Sequence, residues 1–191
     1  EEPTTFTAKW QPSDACRPQM DEEGRVLSRK LAELVARRIT GSTGEVSKVE
    51  TKQRRHAPPL PYNLSALQID AGKRYGMSAQ QVLDSCQRLY ERHKLITYPR
   101  SDCRYLPEEH HRQAAEIIAR IAGHCSGLAI FCPQADPARR SKAWNDRKVD
   151  AHHAIIPTMA RAAIDKLPLP ERQLYELIAR QYLCQFFVDH Q

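Results

Sequence analysis

Apolar and polar residues first alternate along this chain. Phe6, Ala8 and Trp10 are separated by Thr7 and Lys9, the two-residue period of a half-buried strand. From Val26 to Ile39 the period becomes helical. Leu27, Leu31, Leu34 and Val35 share one face, while Arg29, Lys30, Glu33, Arg37 and Arg38 occupy the other. Gly41 and Gly44 stop that helix, and Glu45 to Arg54, with Val46, Val49 and Thr51 set among charges, reads as a second exposed strand. The run Ala57-Pro58-Pro59-Leu60-Pro61 then interrupts every regular pattern, because proline neither continues a helix nor sits in a central strand.

Beyond the prolines the pattern is helical. Ser65 with Gln68, and Ser78 with Gln81, each match the Ser-x-x-Gln signature of a capping box. The second predicts a helix with Val82, Cys86, Leu89 and Tyr90 inward. Pro107-Glu108-Glu109 opens another, since proline is tolerated in a first turn and acids are favoured there. Its apolar face is Ala114, Ile117, Ile118 and Ile121, closed by Gly123. A last helix starts near Pro170 and turns Leu174, Leu177, Ile178 and Tyr182 inward, and residues 124 to 168 read as loops and short elements. The expected fold class is therefore α+β. Residues 1–60 form an incomplete β-rich segment, and 61–191 form a mainly helical domain.

The chain has 191 residues, 41% of them hydrophobic, enough for a real core but with no continuous apolar stretch of the ~18 residues that a membrane span needs. Glu1-Glu2-Pro3 has neither the basic start nor the apolar run of a secretory signal. A chain opening without Met and passing straight into a strand-like segment is expected to be part of a longer protein. Six scattered cysteines, none in a Cys-x-x-Cys pair, fit a reducing cytoplasm better than a disulfide framework or a zinc ribbon. The net charge of +6 is modest, but the cations cluster. Arg88, Arg92, Lys94, Arg100 and Arg104 form one group, and Arg139, Arg140, Lys142, Arg147 and Lys148 a second. Such clusters suit a polyphosphate partner through counterion release, and they equally suit an ordinary basic surface.

Between two of the predicted helices lies Lys94-Leu95-Ile96-Thr97-Tyr98-Pro99-Arg100-Ser101-Asp102. Pro99 disfavours helical angles at Tyr98, which is expected in extended chain. A phenol with a pKa of about 10 is a weak nucleophile until cations favour its anion and neutralise the phosphate it attacks. Arg100, two residues on, leaves extended chain on the same side as Tyr98 and has the planar fork that grips phosphate. Asp102 is expected to hold Arg100. Taken alone, the same residues also describe a turn with a surface ion pair.

A wider pattern favours the chemical reading. The segment from Leu95 to Asp102 resembles the active-tyrosine motif of type IA DNA topoisomerases. Pro59-Leu60-Pro61-Tyr62-Asn63-Leu64-Ser65-Ala66-Leu67-Gln68 resembles that family's entry into the domain carrying the tyrosine. Ala151-His152-His153-Ala154-Ile155-Ile156-Pro157-Thr158 resembles its His-x-Ala-Ile-x-Pro-Thr signature. The wording is most similar to the bacterial topoisomerase III branch, and the resemblance extends over essentially the whole chain.

The resemblance implies that residues 1–60 belong to a β-rich arm and that 61–191 display Tyr98. Tyr98 would form a transient ester with the 5′ phosphate of a cut single strand. Arg100 would orient that phosphate, and His152 would contact it or assist proton movement. Arg100, His152 and Arg104 are the expected DNA contacts. His153 stands where relatives often carry an acid, and its role stays open. Single-stranded DNA is the implied partner, with no ATP and no membrane, and the complete enzyme admits a helicase partner. The implied location is the cytoplasm, on the nucleoid. Mg²⁺ would be bound by an acidic domain that this chain lacks, since no Asp-x-Asp pair with an upstream Glu is present. The chain alone is therefore expected not to cleave DNA.

Two rival readings differ in class. A tyrosine recombinase requires His-x-x-Arg, and none of the histidines has an Arg three residues on. A non-catalytic module for single-stranded DNA remains the alternative.

Overall fold

The computed structural model describes residues 5–189; the chain's opening Glu1-Glu2-Pro3 lies outside them. The chain forms two compact units, residues 1–52 and 53–191.

The first unit has one regular helix, α1 (Arg29–Ile39), which Ser28 opens by accepting a hydrogen bond from the Leu31 amide at 3.3 Å. Before it, a tight turn pairs Met20 with Val26, and Gly24 occupies the left-handed region at φ 76° that such a turn requires. The strands expected at 6–10 and 45–54 do not form. Phe6, Val46 and Val49 are exposed, and no side chain in residues 5–52 is buried. An extended segment becomes a strand only when a neighbour takes its amides and carbonyls. Among the described residues neither segment has such a neighbour. The alternation at Phe6, Ala8 and Trp10 is a face with nothing to pair with in residues 5–52.

The second unit is mainly helical. It contains α2 (Leu64–Tyr75), α3 (Ala79–Glu91), α4 (Ala114–His124), the short α5 (Ser126–Ala129) and α6 (Leu169–Leu183). α6 packs on both α2 and α3. Leu174, Tyr175, Leu177, Ile178, Ala179, Tyr182 and Leu183 are buried round much of its circumference, which makes it the central helix. Leu67 and Ala71 of α2 and Val82, Cys86 and Leu89 of α3 complete that core.

Helix starts are built as their chemistry dictates, with one correction. Ser78 and Gln81 make the reciprocal capping box of α3. For α2 the cap is Asn63, whose Oδ1 accepts from the Ala66 amide at 2.9 Å, so Ser65 lies inside the helix. Asn63 wins because it directly follows the proline-rich entry, where the chain is still extended. The acids after Pro107 open a 3-10 turn, Glu108–Gln113, that leads into α4. Residues 124 to 168 hold α5, three single 3-10 turns and otherwise irregular chain.

Candidate active site

The segment bearing Tyr98 leaves α3 through a sharp reversal. The Leu95 amide donates back to the Leu89 carbonyl at 2.9 Å, and Lys94 takes φ 56°, a left-handed conformation that costs a non-glycine residue about 1 kcal/mol. The carbonyl of this strained residue is caught by the Thr158 hydroxyl at 2.5 Å.

From there the segment runs antiparallel to 154–158. The Thr97 amide donates to the Ile156 carbonyl at 2.9 Å, and the Thr158 amide to the Leu95 carbonyl at 3.0 Å. Ile96 therefore faces Pro157 at a position where no amide is needed, so proline is tolerated there. The Thr97 hydroxyl doubles the junction. It donates to the Ala154 carbonyl at 3.1 Å and accepts from the Ile156 amide at 3.0 Å. On its other side 154–158 is pinned by Ala154 N–H to the Tyr105 carbonyl and Ile155 N–H to the Tyr62 carbonyl, at 2.9 and 2.8 Å.

This lacing brings Tyr98 and His152 together. Their ring centroids lie 4.4 Å apart with planes 35° inclined. Tyr98 is 36% exposed and sits outside any helix, while Tyr90 of α3 presents an edge to it at 5.7 Å. His152 and Arg100 are both exposed, and both line a cleft of ≈ 540 Å³. That volume falls within the ~300–1,000 Å³ usual for ligand clefts. Arg104, Tyr105, Lys148, Asp102 and Asp150 share the lining.

The other expected residues are placed as follows. Arg104 also lines the cleft, but its Nε and Nη2 donate to the carbonyls of Pro61 and Leu60 at 2.9 and 2.7 Å. Its guanidinium fork holds the proline run in place. Asp102 does not hold Arg100: among the described residues no ion pair joins them. What the fold uses is the Asp102 carbonyl, which accepts from Asn63 Nδ2 at 2.9 Å. Nor is the first basic cluster wholly free, since Arg88 is bound to buried Glu171 at 2.6 Å.

His153 turns away from the cleft. Its Nδ1 donates to the Ala154 carbonyl at 2.8 Å and its ring meets His110 edge-on at 4.9 Å. Burial, with smaller contributions from the neighbouring charges of His110 and His152, pushes its pKa down. Tyr62 is buried and donates to Asp70, and burial raises it to about 12, so it is no nucleophile. Lys148 lies 4.7 Å over the Tyr105 ring and donates to its hydroxyl at 3.2 Å.

Sequence reading left out three residues of this arrangement. Tyr90 reads as one more core position of an amphipathic helix, and Thr97 as one more strand residue. Asn63 lies in the family-like entry motif but carries no local mark of its bond to Asp102. Among the described residues no group of three or more His, Cys, Asp or Glu side chains is placed to hold a metal ion.

Comparison with known proteins agrees with the geometry. The family model described as DNA topoisomerase matches residues 4–191. DNA topoisomerase 3 of Vibrio cholerae is 59% identical over 180 residues, covering 94% of this chain, and that of Haemophilus influenzae is 54% identical over 184 residues, covering 96%. The chain spans 28% of the length of each. The solved topoisomerase I of Thermotoga maritima shares the fold with a TM-score of 0.54 at 23% identity, over 88% of this chain and 27% of that one. No described helix is long and apolar enough to cross a membrane. The chain belongs to the DNA topoisomerase family, in its type IA topoisomerase III branch.

Proposed function

We propose that this chain is the tyrosine-bearing part of an enzyme that cuts and reseals one DNA strand, and that Tyr98 is its nucleophile. The observation that carries the reading is an exposed Tyr98 in ring contact with His152, beside a cleft that Arg100 also lines.

The chemistry is a balanced exchange. The Tyr98 oxygen gives up its proton and attacks phosphorus, forming a phosphotyrosine ester with the 5′ phosphate of the cut strand. The bond from phosphorus to the 3′ oxygen breaks, and that oxygen leaves as a hydroxyl after taking a proton. Resealing runs the same steps backwards. One phosphodiester replaces another, so no ATP is consumed, and torsional strain or linkage in the DNA sets the direction. Arg100 grips the phosphate and offsets its growing charge, and His152 contacts the same phosphate or carries the proton. Arg104 contributes charge to the cleft. Residues 1–60 belong to a β-rich arm whose remaining strands lie elsewhere in the protein, which accounts for the unpaired segments at 6–10 and 45–54. Mg²⁺ is held by another domain, and this chain by itself does not cleave. The preferred substrate is single-stranded DNA, and a helicase is the natural supplier of it.

The test uses the complete protein. Denaturant-trapped protein–DNA adduct should map to Tyr98, and Tyr98→Phe should abolish it. An adduct persisting in the Phe variant, or mapped to another residue, overturns the reading. DNA binding without any adduct under any condition would favour a non-catalytic module.

A further inference from the structure

Glu171, in the first turn of α6, is 1% exposed, yet it carries the only carboxylate in the described core. One of its oxygens accepts from Arg88 Nε at 2.6 Å. The other lies 3.3 Å from His93 Nε2 and accepts no well-formed hydrogen bond. A buried charge is costly unless it is paired, and a buried oxygen without a bond is an exception that wants a reason.

Its two neighbours supply the reason. Arg88 is in the last turn of α3, and His93 is in the reversal that follows, where the His93 amide donates to the Arg88 carbonyl at 3.1 Å. The next residue is strained Lys94, and the segment bearing Tyr98 follows it directly. The reversal is thus gripped from two sides, by Thr158 on the Lys94 carbonyl and by Glu171 through Arg88 and His93. Lys94 also sets its ammonium 5.6 Å over Tyr90, the ring that meets Tyr98 edge-on. Core packing alone has no use for an ion pair here, since a hydrophobic residue of similar size packs at least as well.

We infer that Glu171 is a positioning residue for the cleavage step: from the central helix it fixes the reversal that aims Tyr98. This rests on the assignment of Tyr98 as nucleophile. Glu171 touches neither the cleft nor Tyr98, so DNA binding is independent of it.

The test is made in the complete protein with a single-stranded oligonucleotide, reading single-turnover adduct formation, DNA dissociation constant and thermal melting separately. Glu171→Gln keeps size and one acceptor but removes the charge. It should form the Tyr98 adduct ten- to a hundredfold more slowly, roughly the effect of misplacing a reacting group by an ångström. Its dissociation constant should stay within about twofold of the parent, the small change expected of a residue away from the contact surface. Glu171→Asp, which retains the charge, should recover part of the rate. If Glu171→Gln fails to fold, His93→Ala decides, because it disturbs only the partly exposed end of the link and should show the same split. Parent-like adduct rates in Glu171→Gln or, where that variant fails to fold, in His93→Ala overturn the inference. So does a rate that falls only in step with the folded fraction. Absence of a Tyr98 adduct in the parent overturns the underlying assignment instead.

Discussion

Arg100 and Tyr98 make different demands on a substitution. Tyr98 is more than one-third exposed and its hydroxyl has no hydrogen-bond partner among the described residues, so Tyr98→Phe should leave the melting temperature within about a degree or two while removing all adduct if it is the proposed nucleophile. On the proposed roles, Arg100→Ala removes charge stabilisation and keeps the nucleophile. Adduct should still form, slowed by about a hundredfold or more, measured by single-turnover cleavage in the complete protein. A total loss indistinguishable from Tyr98→Phe would place Arg100 in a different role. At this scale the sequence singled out Tyr98, Arg100 and His152, because each sits in a motif whose wording is specific, and the fold sets the Tyr98 ring against His152 and brings His152 and Arg100 to one cleft. The sequence misled at Asp102. An acid two residues from an arginine looks like its partner, but among the described residues no ion pair joins them, and the fold uses the Asp102 carbonyl as the acceptor of the Asn63 side chain instead. It was silent on Glu171, whose partner Arg88 is 83 residues away, beyond the reach of any local pattern.

Element ends carry much of the load, and two predictions belong to them. Asn63 both caps α2 and ties it to the Asp102 carbonyl, so Asn63→Ala should cost about 1–2 kcal/mol in urea unfolding. Ser78→Ala loses only a cap and should cost about 1 kcal/mol. The second prediction concerns acid. His124, at the end of α4, accepts from the Ala162 amide through Nε2 and donates from Nδ1 to the Tyr175 hydroxyl at 2.8 Å, an arrangement for the neutral ring. Burial first, then the charge of Arg120, lowers its pKa from the ordinary 6.5, and burial does the same to His153. The unfolded chain therefore binds protons first as pH falls below about 6.5. Stability is fully present above that value and is lost progressively as pH drops through the folded-state pKa values. Melting curves at pH 7.5 and 5.5 should separate, and the double variant His124→Gln, His153→Gln should narrow the gap. The helices were legible in sequence because each carries its own cap and apolar face. The strands were not, because pairing is a property of two segments and alternation reports only one.

For the molecule as a whole, the two units differ in kind. Residues 5–52 bury no side chain, whereas the second unit encloses a continuous core around α6. A protein comprising residues 53–191 should unfold in one cooperative thermal transition, and a 1–52 peptide should show none, by circular dichroism. A cooperative transition in the short peptide would mean that its helix and turn suffice for stability. The lacing at Thr97 has a consequence for how this chain is made. Its hydroxyl bonds reach Ala154 and Ile156 across 57 and 59 residues of chain. Contacts that close loops this long form late in folding. A ribosome releases Tyr98 well before it releases His152, so the nascent chain carries its tyrosine unaimed. Interrupted synthesis then yields a product without the Tyr98–His152 ring contact, which forms only in chains completed through the 154–158 segment.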